Sequence, residues 1–188
     1  MTDPGNALSG RKVLFVVANS GVEQPELTAP WQAVLDAGGQ PVLAAPEAGE
    51  VQAFTNDVEK ADTFTAELAI SDVDAADYVG LVLPGGTTNA DKLRMESDAV
   101  ALVSAFTGAG KPVAAICHGP WALVEADAVR GKTLTSYPSL QTDIRNAGGT
   151  WVDQQVSVCP DRYPLVTSRD PDDLEAFCPA LVEQFAQA

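Results

Sequence analysis

Residues 112–125 read PVAAICHGPWALVE, and this stretch decides the fold. Pro112 to Ile116 is an unbroken apolar run, short and without the polar alternation of a half-exposed strand. Such a run fits a strand covered on both faces, as in a parallel sheet. It leads straight into Cys117, His118 and Gly119. Pro120 suits the first turn of a helix, where its missing N–H loses nothing and its φ is already helical. Gly119 relieves crowding behind the turn. The segment therefore predicts a strand, a sharp turn and a helix, with a cysteine at the turn.

The chain repeats that alternation in both directions. Tyr78 to Leu83 (YVGLVL) predicts another buried strand, ending in the turn Pro84-Gly85-Gly86. After it, Ser97 and Asp98 can cap a helix that carries Val100, Val103 and Phe106 on one face. Nearer the N-terminus, Lys12 to Ala18 (KVLFVVA) predicts the first strand. A loop follows, then a helix with the stripe Leu27, Trp31, Val34 and Leu35, closed by Gly38-Gly39, and a strand over Pro41 to Ala45. Beyond the central stretch, strands are expected at Thr133 to Thr135, around Trp151, at Val156 to Val158 and at Leu165 to Thr167, with a helix from Leu140 to Ala147. Pro171, Asp172 and Asp173 open a last helix whose core face is Leu174, Phe177, Leu181, Val182 and Phe185. Residues 48–76, acidic and without a long apolar run, read as a surface excursion of short strands. This alternation marks an α/β fold, with a mostly parallel central sheet sandwiched by helices. With no repeat or linker in it, residues 11–188 predict a single domain behind a polar lead-in at 1–10.

Charge and cysteine usage narrow the function. Eleven basic against 26 acidic residues give a formal charge of −15 over 188 residues. Phosphate-backbone binding draws on clustered Lys and Arg, and none are clustered, which argues against a nucleic-acid partner. No apolar run approaches the roughly 18–20 residues of a membrane span, and the start MTDPGNALSG lacks the basic and apolar parts of a secretory signal. The expectation is a cytoplasmic protein with no membrane partner. Three cysteines, at 117, 159 and 178, are odd in number and not spaced as a metal clip, so free thiols are expected. His118 is the only histidine, too few for a zinc site of Cys and His. No metal or cofactor is expected. Cys159 and Cys178 are assigned packing roles.

A residue between a strand and its following helix projects into the crevice at the carboxyl edge of the sheet, where α/β proteins collect ligands. The helix start offers partial positive charge and unpaired N–H groups, which stabilise a thiolate and could serve as an oxyanion hole. On residue types alone Cys117 could equally be a small buried hydrophobe.

The run AAICHGPWALVEADAVRGKTLTSYPS, Ala114 to Ser139, resembles the reactive-cysteine region of the DJ-1/PfpI family, and its core Ala-Ile-Cys-His-Gly-Pro resembles the PfpI-like branch. VEQPELT at 22–28, LVLPGG at 81–86, NAGGTWVD at 146–153 and VTSRDPDDL at 166–174 agree in order and spacing. The similarity spans roughly residues 11–186. It implies a flavodoxin-like domain with Cys117 as nucleophile, and Glu23 as the carboxyl that hydrogen-bonds the sulfur. Taken by itself, Glu23 reads as a solvated loop charge and Glu26 as a first-turn charge. In PfpI-like relatives the histidine at position 118 joins the cysteine and an acid from a neighbouring subunit. The matching position falls near Asp91, where this sequence has one extra residue and where a helix cap or surface charge is an equal reading. Gly85, Gly86 and Gly119 are expected to shape the pocket and lend N–H groups to an oxyanion.

The implied functions are a cysteine hydrolase, acting on peptides or amides or on glycation adducts and glyoxals, and, alternatively, a redox-responsive stress sensor in which Cys117 is oxidised. A scaffold or chaperone without activity is a third reading. A glutamine amidotransferase is disfavoured, because that chemistry wants a later histidine and none follows His118. The resemblance also implies at least a homodimer, possibly a higher oligomer, with a small-molecule or peptide substrate.

Overall fold

The structure is a computed structural model that describes residues 6–188. The expected lead-in at 1–10 therefore falls partly outside the described residues. Its second half is packed: Leu8 is fully buried, and its N–H donates to the carbonyl of Ala37 at 2.8 Å.

The first part of the chain runs β1 (Lys12–Val16), β2 (Ser20–Glu23), α1 (Gln24–Asp36), β3 (Gln40–Ala45), β4 (Gly49–Thr55), β5 (Glu59–Ala66) and β6 (Leu68–Ala69). The middle comprises β7 (Gly80–Leu83), α2 (Thr87–Met95), α3 (Ser97–Gly108), β8 (Val113–Ile116) and α4 (Pro120–Glu125). Then follow β9 (Thr133–Leu134), α5 (Gln141–Asn146), β10 (Thr150–Trp151), β11 (Ser157–Cys159), β12 (Leu165–Ser168) and α6 (Leu174–Ala186). The central sheet has the order β11-β12-β8-β7-β1-β3-β6, with every pairing parallel except β11 against β12.

Apolar runs without alternation become central strands because both faces are covered. In β1, Val13 and Phe15 join the core shared with α1 and α6, whereas Leu14 and Val16 join the core shared with α3 and α4. In β8, Ala114 and Ile116 share the first core, and Val113 and Ala115 the second. All four β8 residues are buried. This is the two-sided burial of a parallel sheet. The helix over 97–108 forms, although its cap position is Glu96 and makes no side-chain cap bond.

Residues 48–76 hold more order than a loose excursion. β4 and β5 make an antiparallel hairpin, and β2 pairs parallel with β4 to give a separate three-stranded sheet. The hairpin tip, Asn56 and Asp57, takes left-handed backbone with φ of 53° and 64°. Because β2 leads directly into α1, this small sheet stands at the carboxyl edge of the central one, next to the end of β7.

Candidate functional site

Cys117 follows β8 at φ 60°, in the left-handed region that a residue with a Cβ enters only under constraint. Three backbone bonds hold it there. Its N–H donates to the Ser168 carbonyl at 3.1 Å, its carbonyl accepts from Tyr137 N–H at 2.9 Å, and Gly119 N–H closes the turn on Ile116 O at 2.8 Å. A side chain on Gly119 would run into the carbonyl oxygen of Leu83, so the sharpness of the turn depends on that glycine. Pro120 occupies the first turn of α4, as expected.

Cys117 is only 6% exposed. Its sulfur lies 3.1 Å from Nδ1 of His118. The His118 ring stacks on Tyr137, with centroids 4.7 Å apart, and meets the edge of Trp121 at 5.2 Å. Its Nε2 stands 3.3 Å from Oγ of Ser139 and 3.5 Å from Oγ1 of Thr87. Burial pushes the imidazole pKa down, and the Asp57 carboxylate pushes it partly back up.

The carboxyl beside the sulfur belongs to Glu26, which corrects the expectation for Glu23. Glu26 is fully buried in the first turn of α1, and its Oε2 accepts the N–H of Gly85 at 2.8 Å. Its Oε1 has no hydrogen-bond partner among the described residues. A Cβ on Gly85 would collide with both Glu26 Oε2 and the Cβ of Cys117, so the glycine is what lets carboxyl and cysteine meet. Glu23 turns elsewhere: its two oxygens accept the N–H groups of Asn56 at 2.9 Å and Asp57 at 3.0 Å. The helix explains the exchange. Glu23 ends β2 in extended backbone at the cap position, whereas Glu26 lies inside α1 on the face bearing Leu27 and Pro30, which packs inwards and takes it along.

Burial raises the Glu26 carboxyl well above its usual range, with Glu23 adding to the effect and the Gly85 N–H opposing it. Burial also raises the Cys117 thiol, and the Glu26 charge raises it further. The backbone N–H groups of Gly86 and His118 act the other way and favour the thiolate. The pair is linked unequally: the Glu26 charge raises the thiol, a hydrogen bond from the Cys117 side chain lowers the carboxyl, and the sulfur bears charge more readily when Glu26 keeps its proton.

The three expected glycines divide accordingly. Gly86 has a free role at the sulfur, whereas the N–H groups of Gly85 and Gly119 are spent on Glu26 and Ile116. Neither of those two is an oxyanion donor. The N–H of His118 instead joins that of Gly86 at the sulfur. Asp91 is exposed on α2 and lines a groove with Asn19, Ser20 and Glu47, away from Cys117 within the chain. Cys159 is buried in β11, and Cys178 is half-buried in α6, where burial raises its thiol to about 11.

Sequence reasoning missed three residues. Asn89 is fully buried; its Oδ1 accepts Ala18 N–H at 2.7 Å, and its Nδ2 donates to the carbonyls of Pro84 and Gly85 at 3.1 and 3.0 Å. It ties the ends of β1 and β7 together and so fixes the glycine turn. Thr87 and Asp57 were hidden because their neighbours lie far away in the chain. Among the described residues no group of His, Cys, Asp and Glu is placed to hold a metal ion, and no helix is long and apolar enough to cross a membrane.

Residues 11–184 match the DJ-1/PfpI family. The chain is 41% identical over 167 residues to YraA of Bacillus subtilis, named as a proposed cysteine protease, covering 88% of this chain and 94% of that one. It is 38% identical to general stress protein 18 of Bacillus subtilis, covering 88% and 93%. Protein/nucleic acid deglycase 2 of Escherichia coli is also 38% identical, with the same two coverages. Among solved structures, a two-domain protein of Anabaena variabilis with DJ-1/ThiJ/PfpI-like and ferritin-like domains superposes with a TM-score of 0.84 at 30% identity, covering 92% of this chain and 47% of the other.

Proposed function

Because the chain belongs to the DJ-1/PfpI family, we propose that it is a cysteine-dependent hydrolase of small carbonyl compounds and early glycation adducts, with Cys117 as nucleophile. The observation that carries this reading is the Cys117 Sγ to His118 Nδ1 approach of 3.1 Å at a strained strand-to-helix turn. Relatives named as deglycase and as stress protein agree with it. A cysteine only 6% exposed suits a group the size of an aldehyde better than an extended peptide.

The chemistry follows from the geometry. The sulfur adds to the aldehyde carbon; a C–S bond forms and the thiol proton passes to Nδ1 of His118. The new alkoxide is met by the N–H groups of Gly86 and His118, which face the sulfur. For a dicarbonyl, moving the proton from the former aldehyde carbon to its neighbour converts the hemithioacetal into a thioester. Water then releases a 2-hydroxy acid and regenerates the thiol. Glu26, whose carboxyl is held well above its usual range, is suited to carry that proton.

A second reading is favoured by one observation, the unpartnered Oε1 of Glu26 beside Cys117. A protonated carboxyl there can donate to an oxygen of a sulfinate, which would suit a redox-responsive stress protein. Cytoplasmic residence, in keeping with three free cysteines, and assembly into at least a homodimer belong to the same proposal. Methylglyoxal consumption and peroxide titration by intact mass, on wild type and Cys117→Ala, separate the readings. Turnover that disappears in Cys117→Ala supports the hydrolase. Stoichiometric oxidation of Cys117 without turnover gives the site to sensing, and an inert Cys117 overturns both.

A further inference from the structure

The hairpin tip of β4 and β5 reaches into the site from a part of the chain with no other role in it. Asp57 accepts two hydrogen bonds from the first residue of α2: Oδ1 from Thr87 N–H at 2.7 Å and Oδ2 from Thr87 Oγ1 at 2.8 Å. The Thr87 hydroxyl has one proton, and Asp57 takes it. What Thr87 Oγ1 presents to Nε2 of His118, 3.5 Å away, is therefore a lone pair. A lone pair there favours the imidazole tautomer with its proton on Nε2, which leaves Nδ1 free to accept from the Cys117 thiol 3.1 Å away.

The tip is held in place for this. Asn56 and Asp57 both take left-handed backbone, which Asn and Asp enter more readily than other non-glycine residues, and the N–H groups so presented form an anion cradle. Glu23 fills it, accepting from Asn56 and Asp57. Glu23 thus has a task one step removed from the sulfur, which is to fix the loop that carries the acid.

We infer that Asp57 is the positioning acid of this site, acting within one chain through the Thr87 hydroxyl to orient His118 towards Cys117. The inference rests on Cys117 being the nucleophile, but it does not need a partner subunit to supply an acid. Among the other groups around the ring, Ser139 Oγ also stands at Nε2, 3.3 Å away, and can accept its proton alongside Thr87, but it brings no acid with it. From the Cys117 turn come Cys117 itself, with Glu26 behind it, and Trp121, whose Nε1 is bonded to Asp143 at 2.8 Å and whose ring lies under Arg94. Arg94 is in turn paired with Glu125. From the segment after β9 come Tyr137 and Ser139. Of the charged groups, Asp57 is the one that acts on the imidazole, raising its pKa against burial.

The single histidine makes the test clean, since ¹⁵N and ¹³C labelling yields one ring to follow. In the full-length protein, nitrogen shifts of neutral His118 should place its proton on Nε2. Asp57→Asn should lower the imidazole pKa by roughly half a unit or more, since a nearby opposite charge is removed, and should mix the tautomers. Thr87→Val should mix them too, Asp57→Glu should restore part of the shift, and Asp91→Asn should leave it in place. A proton on Nδ1 in the wild type overturns the inference before any variant is made. So does an unchanged pKa and tautomer in folded Asp57→Asn, or a shift produced by Asp91→Asn instead. If Asp57→Asn does not fold, Thr87→Val decides by the same readout. No substrate enters these measurements, so a protein with the expected ring but no turnover would sink the hydrolase reading alone.

Discussion

The sulfur of Cys117 lies 3.1 Å from Nδ1 of His118, its immediate neighbour in the chain. Consecutive side chains in a strand point to opposite faces, so this approach exists only because the backbone turns left-handed at Cys117, with φ 60°. Backbone strain at that residue is thus part of how the pair is made.

Reactivity should follow the pair. Burial lowers the His118 imidazole below its ordinary range, and its Nδ1 is placed to accept the thiol proton, so His118→Ala should slow iodoacetamide alkylation of Cys117 by roughly 10²-fold near neutral pH. Intact mass against time reads the rate. Equal rates in variant and wild type would mean that the backbone donors alone form the thiolate.

Stability should depend on pH through Glu26. Its folded carboxyl is raised above the usual value of 4.5, chiefly by burial. The folded state then binds the proton more tightly than the unfolded chain. The stability this supplies is fully present below about pH 4.5 and is lost as pH rises through the folded value. Glu26→Gln stays neutral and escapes that loss, so its urea midpoint relative to wild type should climb with pH. A constant difference would show that the Glu26 carboxyl binds its proton equally tightly in the folded and unfolded chain.

Gly119→Ala should couple stability to reactivity. The added methyl meets the Leu83 carbonyl oxygen, a backbone atom at the end of a central strand that cannot yield cheaply. The expected loss is about 2 kcal/mol by denaturant melt, together with slower Cys117 alkylation because the turn opens. A variant that melts like wild type would place the Gly119 backbone outside any tight contact.

Asn89→Ala would leave the N–H of Ala18 and the carbonyl of Pro84 without their partner, while the Gly85 carbonyl keeps the N–H of Glu23. Each unpaired buried group costs roughly 1–3 kcal/mol, so a loss of about 3 kcal/mol or more is expected in thermal or urea melts. Asn89→Asp keeps the acceptor but not the donors and should lose less than Asn89→Ala only at a pH low enough to protonate it.

The nearly continuous apolar runs at 12–18, 78–83 and 112–116 were sufficient, by themselves, to determine a parallel sheet covered on both faces. Likewise, Cys-His-Gly-Pro after such a run determined the strand-turn-helix with a cysteine at the carboxyl edge of the sheet. These are local facts, written in consecutive residues whose periodicity and turn chemistry act over a few positions. The partners of the cysteine were decided only in three dimensions. Glu23 and Glu26 are both acids at the start of one helix, and nothing in their order says which faces the sulfur; the rotation of α1 against the sheet buries Glu26 and sends Glu23 to the hairpin. Asp57 lies in the acidic stretch that reads as surface, 60 positions before Cys117, and becomes part of the site because β2 and β4 pair. Side chains from distant segments meet where strands align, and alignment is a property of the packed sheet rather than of any window of sequence.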